Sequence, residues 1–113
     1  MYRVRHQIGY DTHFFSRGNP ENYAVAVVDS GIIRHPDLKE QVIAFYDFSN
    51  EKYNDCADFF GHGTHVAGCL AGTGLLSKGR YQGICPNAKL VILKVLNRAG
   101  LGEAKWLIES LKY

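Results

Sequence analysis

An α/β fold with a mostly parallel sheet flanked by helices is what this sequence predicts, on three observations. Two short runs, AVAVV at 24–28 and KLVILKVL at 89–96, are apolar at nearly every position. Strands buried on both faces of a parallel sheet read this way, whereas half-exposed strands alternate. Each run stops at turn-forming residues, and the segments after them carry apolar residues at helical spacing, so strand and helix patterns alternate along the chain.

Taken in order, residues 1–22 form a polar and aromatic lead segment ending in the turn-like RGNPEN, and a single domain is expected over 23–113. The first strand, 24–28, ends at Asp29-Ser30-Gly31. A turn at HPDL leads to a second strand at about 42–48. After His62, the positions Val66, Ala67, Leu70 and Ala71 give a helix one apolar face. Residues 72–88 read as a loop punctuated by Gly72, Gly74, Gly79, Gly83 and Pro86. The third strand follows at 89–96. Ala104, Leu107, Ile108 and Leu111 then mark a last helix that runs to Tyr113 without a glycine or proline stop. Three buried-type strands with two or three helices make a thin layer, so the sequence reads as a domain cut short.

Composition narrows the function classes. At 113 residues, with 46% hydrophobic and 21% charged residues, the chain has the make-up of one globular domain. A net charge of +2 with scattered basic residues gives no footprint for nucleic acid or an anionic membrane. No run is long enough to span a bilayer, and the start lacks the apolar stretch of roughly 7–15 residues of a signal peptide. Cys56, Cys69 and Cys85 are odd in number and irregular in spacing, which suits reduced thiols and a cytoplasmic location better than a disulfide framework.

The residues able to carry chemistry lie at the ends of these elements. Asp29 sits where the first strand stops, and in open α/β sheets ligands gather at the carboxyl ends of strands. It could equally cap a turn. His62 stands between Gly61 and Gly63 at the head of a helix, where the helix dipole disfavours an imidazolium and keeps the ring a usable base. Three arrangements join these pieces. Asp29, Asp58, His62 and His65 could ligate a metal in a hydrolase, although the HxxH spacing is not the HExxH zinc signature. His62 could be the base of a nucleophilic site oriented by Asp29. The third arrangement carries no chemistry.

VAVVDSGI, HPDL, GHGTHVAG and GICPNAKLVILKVLNRAGLGE follow one another in an order and spacing that resembles the subtilisin-like serine peptidases, the subtilases, over roughly residues 8–113. The loop GTGLLSKGRYQGICP is most similar to that of bacterial intracellular-type members. The resemblance implies the amino-terminal part of a subtilisin-like fold, truncated before the serine nucleophile. It implies Asp29 as the triad aspartate and His62 as the general base, with His65 a structural neighbour. It also implies that Gly100, Leu101 and Gly102 line one side of the substrate cleft, where a peptide pairs as an added strand; an ordinary strand-to-helix turn is the other reading. Asp37 matches a position that ligates structural calcium in some secreted members, but the following loop differs, so no cofactor is expected. Cys69 replaces a commonly small polar residue and is expected to be a buried, inert thiol.

None of Ser16, Ser30, Ser49, Ser77 and Ser110 stands in the glycine-rich turn that the family's nucleophile requires, and no asparagine offers an oxyanion motif. The expectation is a serine endopeptidase by family that is inactive as this chain alone. Its partners would be a peptide or protein substrate and a complementary carboxy-terminal segment carrying the serine. A non-catalytic module that binds extended peptides, and a metal-dependent hydrolase, are the alternatives.

Overall fold

The computed structural model describes residues 24–86 and 88–113; the lead segment expected over 1–22 lies outside them. The elements are β1 (Ala24–Asp29), β2 (Val42–Asp47), α1 (His62–Ala71), a single 3₁₀ turn (Leu75–Ser77), β3 (Lys89–Lys94) and α2 (Ala104–Lys112). The three strands form one parallel sheet in the order β1-β3-β2. A register irregularity between Val42 and Ala44 lets β2 meet β3.

Registers align the carboxyl ends of the strands. Asp29 of β1 and Asp47 of β2 both stand opposite Lys94 of β3. β3 is the central strand, and its Leu90 and Ile92 are completely buried. They form the core with Val27, Ile32, Leu38 and Ala88 and with Ala67 and Ala71 of α1. Small side chains at Ala67 and Ala71 allow the helix to lie close against β1 and β3. At the end of α1, Ile84 and Cys85 donate their N–H groups to the carbonyls of Cys69 and Leu70, satisfying groups that the helix leaves open. The loop at 72–88 is thus tied back to the helix it leaves.

Two expectations need correction. β1 is not covered on both faces: Ala24, Val25 and Ala26 are exposed, because among the described helices α1 is the one that packs against the strand. The apolar stripe of α2 faces outward as well, with Leu107, Ile108 and Leu111 all exposed. The carboxyl end of α2 is anchored by Tyr113, whose ring lies 4.1 Å from that of Tyr46 and 5.9 Å from that of Phe48. The strand and helix bounds otherwise follow the sequence reading, with β3 ending two residues earlier. No helix among the described residues is long and apolar enough to cross a membrane.

Candidate active site

Asp29 closes β1 at the carboxyl edge of the sheet, and His62 is the first residue of α1. The two side chains meet. Nδ1 of His62 lies 2.8 Å from Oδ2 and 3.0 Å from Oδ1 of Asp29. A carboxylate only accepts, so Nδ1 carries a proton, and in the neutral ring Nε2 keeps its lone pair. Nε2 has no partner among the described residues, and the His62 side chain is 60% exposed against 14% for Asp29. An oriented imidazole with its basic nitrogen open to a reactant is what general-base catalysis requires.

The backbone around the pair is fixed from several directions. The Asp29 carbonyl accepts from the N–H groups of Val95 (2.9 Å) and Leu96 (3.3 Å), which ties the end of β1 to the exit of β3. Gly63 lies so near the next turn that a Cβ there would run into the Gly31 carbonyl oxygen. Only glycine lets the helix start against the end of β1. Ser30 is completely buried and lies beside Asp29. Its hydroxyl donates to Asp58 Oδ1 (2.8 Å) and accepts from the N–H of Gly63 (2.8 Å), so it is engaged structurally.

Asp58, considered from sequence only as a metal ligand, is instead an acceptor of four hydrogen bonds. Besides Ser30, the N–H groups of Gly61 (2.7 Å) and Thr64 (2.8 Å) and the Thr64 hydroxyl donate to it. Burial opposes its ionisation, but these donors, led by the Thr64 hydroxyl, outweigh that and hold its pKa below the ordinary 3.8. The signal available in sequence was an acidic residue just before a glycine-led helix that lacks a capping side chain of its own. Among the described residues, no three His, Cys, Asp or Glu side chains gather as a metal ion would need. His65 is exposed and touches Cys69, whose Sγ lies 3.8 Å from its Nδ1. Cys69 is half-buried rather than buried, a correction to the expectation, because it borders an open cleft with His35, His65 and Tyr81. That cleft does not include Asp29 or His62.

The segment Gly100–Gly102 follows β3 in a tight turn built on Asn97. The Asn97 side-chain oxygen accepts from the N–H of Ala99 (2.9 Å) and of Leu101 (3.1 Å), and the Asn97 N–H donates to the Leu101 carbonyl (2.8 Å). Both backbone groups of Leu101 therefore point into the turn, while its side chain is exposed. The Gly100 carbonyl and both backbone groups of Gly102 have no partner among the described residues. Open backbone groups of this kind are what an added peptide strand would pair with. Gly100 has φ +76° and packs beneath the Phe60 ring, where a Cβ would come within 2.5 Å of Cζ. Neither Asn97 nor Phe60 was singled out by the sequence reading. Asp37, the candidate calcium ligand, accepts from the N–H of Leu76 (2.9 Å) through Oδ1, and its carbonyl accepts from Thr73.

The carboxyl edge of a parallel sheet thus holds an aspartate against the first residue of α1, an α/β arrangement with an oriented Asp–His pair. The chain belongs to the subtilase family, whose model matches residues 21–113. It is 46% identical over 89 residues to the serine protease AprX of Bacillus subtilis, covering 79% of this chain and 20% of that protein. It is 41% identical over 98 residues to the major intracellular serine protease of the same organism, covering 82% of this chain and 30% of the relative. The crystal structure of a cold-adapted subtilisin-like serine proteinase superposes with a TM-score of 0.64 at 30% identity, over 77% of this chain and 29% of that one. The chain thus spans between a fifth and a third of the length of these relatives.

Proposed function

We propose that these residues carry the Asp–His half of a serine endopeptidase site whose nucleophile and oxyanion donor come from outside the 113 residues. The observation that carries the reading is the Asp29–His62 contact, with Nδ1 held by the carboxylate and Nε2 open. In the reaction, Nε2 takes the proton of a serine hydroxyl as its oxygen attacks the peptide carbonyl carbon. Asp29 stabilises the imidazolium that forms. The proton then passes from Nε2 to the leaving amine as the C–N bond breaks, and water repeats the sequence to release the acyl group. Gly100 and Gly102 receive the peptide as an added strand, which presents the scissile bond in an extended conformation.

The site needs no cofactor in this reading, and the Asp37–Leu76 hydrogen bond gives that carboxylate a role without calcium. Three free thiols, together with the major intracellular serine protease among the relatives, support a location inside the cell. The open Gly100 carbonyl and Gly102 backbone also support peptide binding independent of catalysis, the runner-up reading.

The test is peptidase activity of the chain alone and mixed with a carboxy-terminal subtilase segment bearing the serine and an oxyanion asparagine. We expect activity in the mixture only, falling by about 10⁴-fold or more with Asp29→Ala or His62→Ala. A mixture that binds unmodified peptide without cleaving it would replace this reading with the binding module.

A further inference from the structure

The helix that delivers His62 has no cap of its own. Gly61 occupies the N-cap position, and it has no side chain to accept the open N–H groups of the first turn. Those of Gly63 and Thr64 are satisfied from elsewhere in the chain, as is the N–H of Gly61 itself. Asp58 accepts from Gly61 and Thr64, and Ser30 accepts from Gly63. Ser30 in turn donates to Asp58, so the Gly63 N–H, the Ser30 hydroxyl and the Asp58 carboxylate form one polarised chain of hydrogen bonds.

This chain of bonds runs directly alongside the reactive pair. Asp29 bonds His62, and the next residue on each side, Ser30 and Gly63, bond one another. The two contacts form consecutive rungs between the end of β1 and the start of α1. Asp58 closes the second rung from behind and also holds the helix at Gly61 and Thr64. Four donors fill the acceptor capacity of an ionised carboxylate. An amide in its place would turn an NH₂ group toward donors and lose half of the bonds.

We propose that Asp58, acting through Ser30, is a positioning residue that sets the Asp29–His62 hydrogen bond. It touches neither substrate nor the reacting atoms. Its effect is to fix where the first turn of α1 begins relative to the end of β1. A misplacement of about 1 Å at such a pair costs on the order of 10²-fold in rate. The inference rests on the reading of Asp29 and His62 as a catalytic pair, and its first readout requires no catalysis.

That readout is the Nδ1–H proton of His62 in the 113-residue chain labelled with ¹⁵N-histidine. Held against Asp29, this proton gives a downfield resonance that exchanges slowly with water, and Asp29→Asn assigns it by removing it. With Asp58→Asn, at unchanged circular dichroism, we expect the resonance to broaden or vanish. In the complemented mixture we expect kcat to fall about 10- to 100-fold with KM unchanged. A resonance of wild-type shift and exchange rate in Asp58→Asn overturns the proposal and leaves the proposed function standing. Absence of the resonance from the wild-type chain overturns the catalytic pair and the positioning role together. Should Asp58→Asn unfold, Ser30→Ala decides by the same criterion, and unfolding of both would make the network a requirement of the fold rather than a positioning device.

Discussion

At Gly63 the absence of a side chain lets α1 begin in contact with the turn after β1. A Cβ at this position meets the Gly31 carbonyl and lies 3.2 Å from the Ser30 N–H nitrogen. Both neighbours are backbone, so relief requires moving the helix or the turn. Gly63→Ala should therefore destabilise the chain by about 1–3 kcal/mol, as overpacking does, measured by urea unfolding. An unchanged midpoint would mean that the approach is looser than described. The positions of Asp29 at a strand end and His62 at a helix start were legible in the sequence, because the apolar run before one and the glycines around the other mark them. Asp58, Asn97 and Phe60 were not. Asp58 acquires its role through Ser30, 28 positions away, and no local pattern encodes that pairing. Asn97 closes its own turn, but its side chain bonds groups two and four residues on, which identity alone does not reveal.

Between elements, Glu51 joins the segment after β2 to the segment after β3. Lys94 is only 1% exposed, and its Nζ lies 3.1 Å from Glu51 Oε1. This is an ionic contact rather than an aligned hydrogen bond, since Oε1 has no hydrogen-bond partner. Nζ also donates to the Leu96 carbonyl. Arg98 Nε bonds Glu51 Oε2 at 3.0 Å, and the same guanidinium bonds the Tyr53 hydroxyl and lies over the Phe59 ring. This cluster leads directly into the Asn97–Leu101 turn. Glu51→Gln would leave a buried ammonium without a counter-charge, and should cost about 3 kcal/mol by thermal or urea unfolding. Burial opposes ionisation of Glu51, but Arg98 and Lys94 together hold its pKa below the ordinary 4.5. A lowered folded pKa means that the unfolded chain binds more protons. The contribution is therefore full above about pH 4.5 and lost as pH falls through the lower folded value. Glu51→Gln should flatten the acid side of the stability curve; an identical curve would show that the pair contributes nothing. The elements themselves were legible because apolar runs and helical spacing report burial. What they could not report was how much of that burial the described chain supplies.

On the scale of the molecule, the apolar surface exceeds what the described elements cover. β1 presents Val25, 38% exposed, along an edge whose backbone groups have no strand beside them among the described residues. Leu107, Ile108 and Leu111 of α2 are 43, 52 and 70% exposed. Sequence reading placed these residues at core-type positions from their pattern, and the described elements leave them exposed. A strand edge of this kind pairs with whatever strand it meets, and a charged side chain is the usual protection. We therefore expect the chain to self-associate at micromolar concentration in sedimentation velocity. Val25→Lys should raise the monomer fraction several-fold without changing far-UV circular dichroism. A carboxy-terminal subtilase segment should have the same effect on the unsubstituted chain, since it would occupy the edge and the face of α2 together. If Val25→Lys leaves the association unchanged while the added segment abolishes it, the exposed face of α2 rather than the sheet edge is the contact.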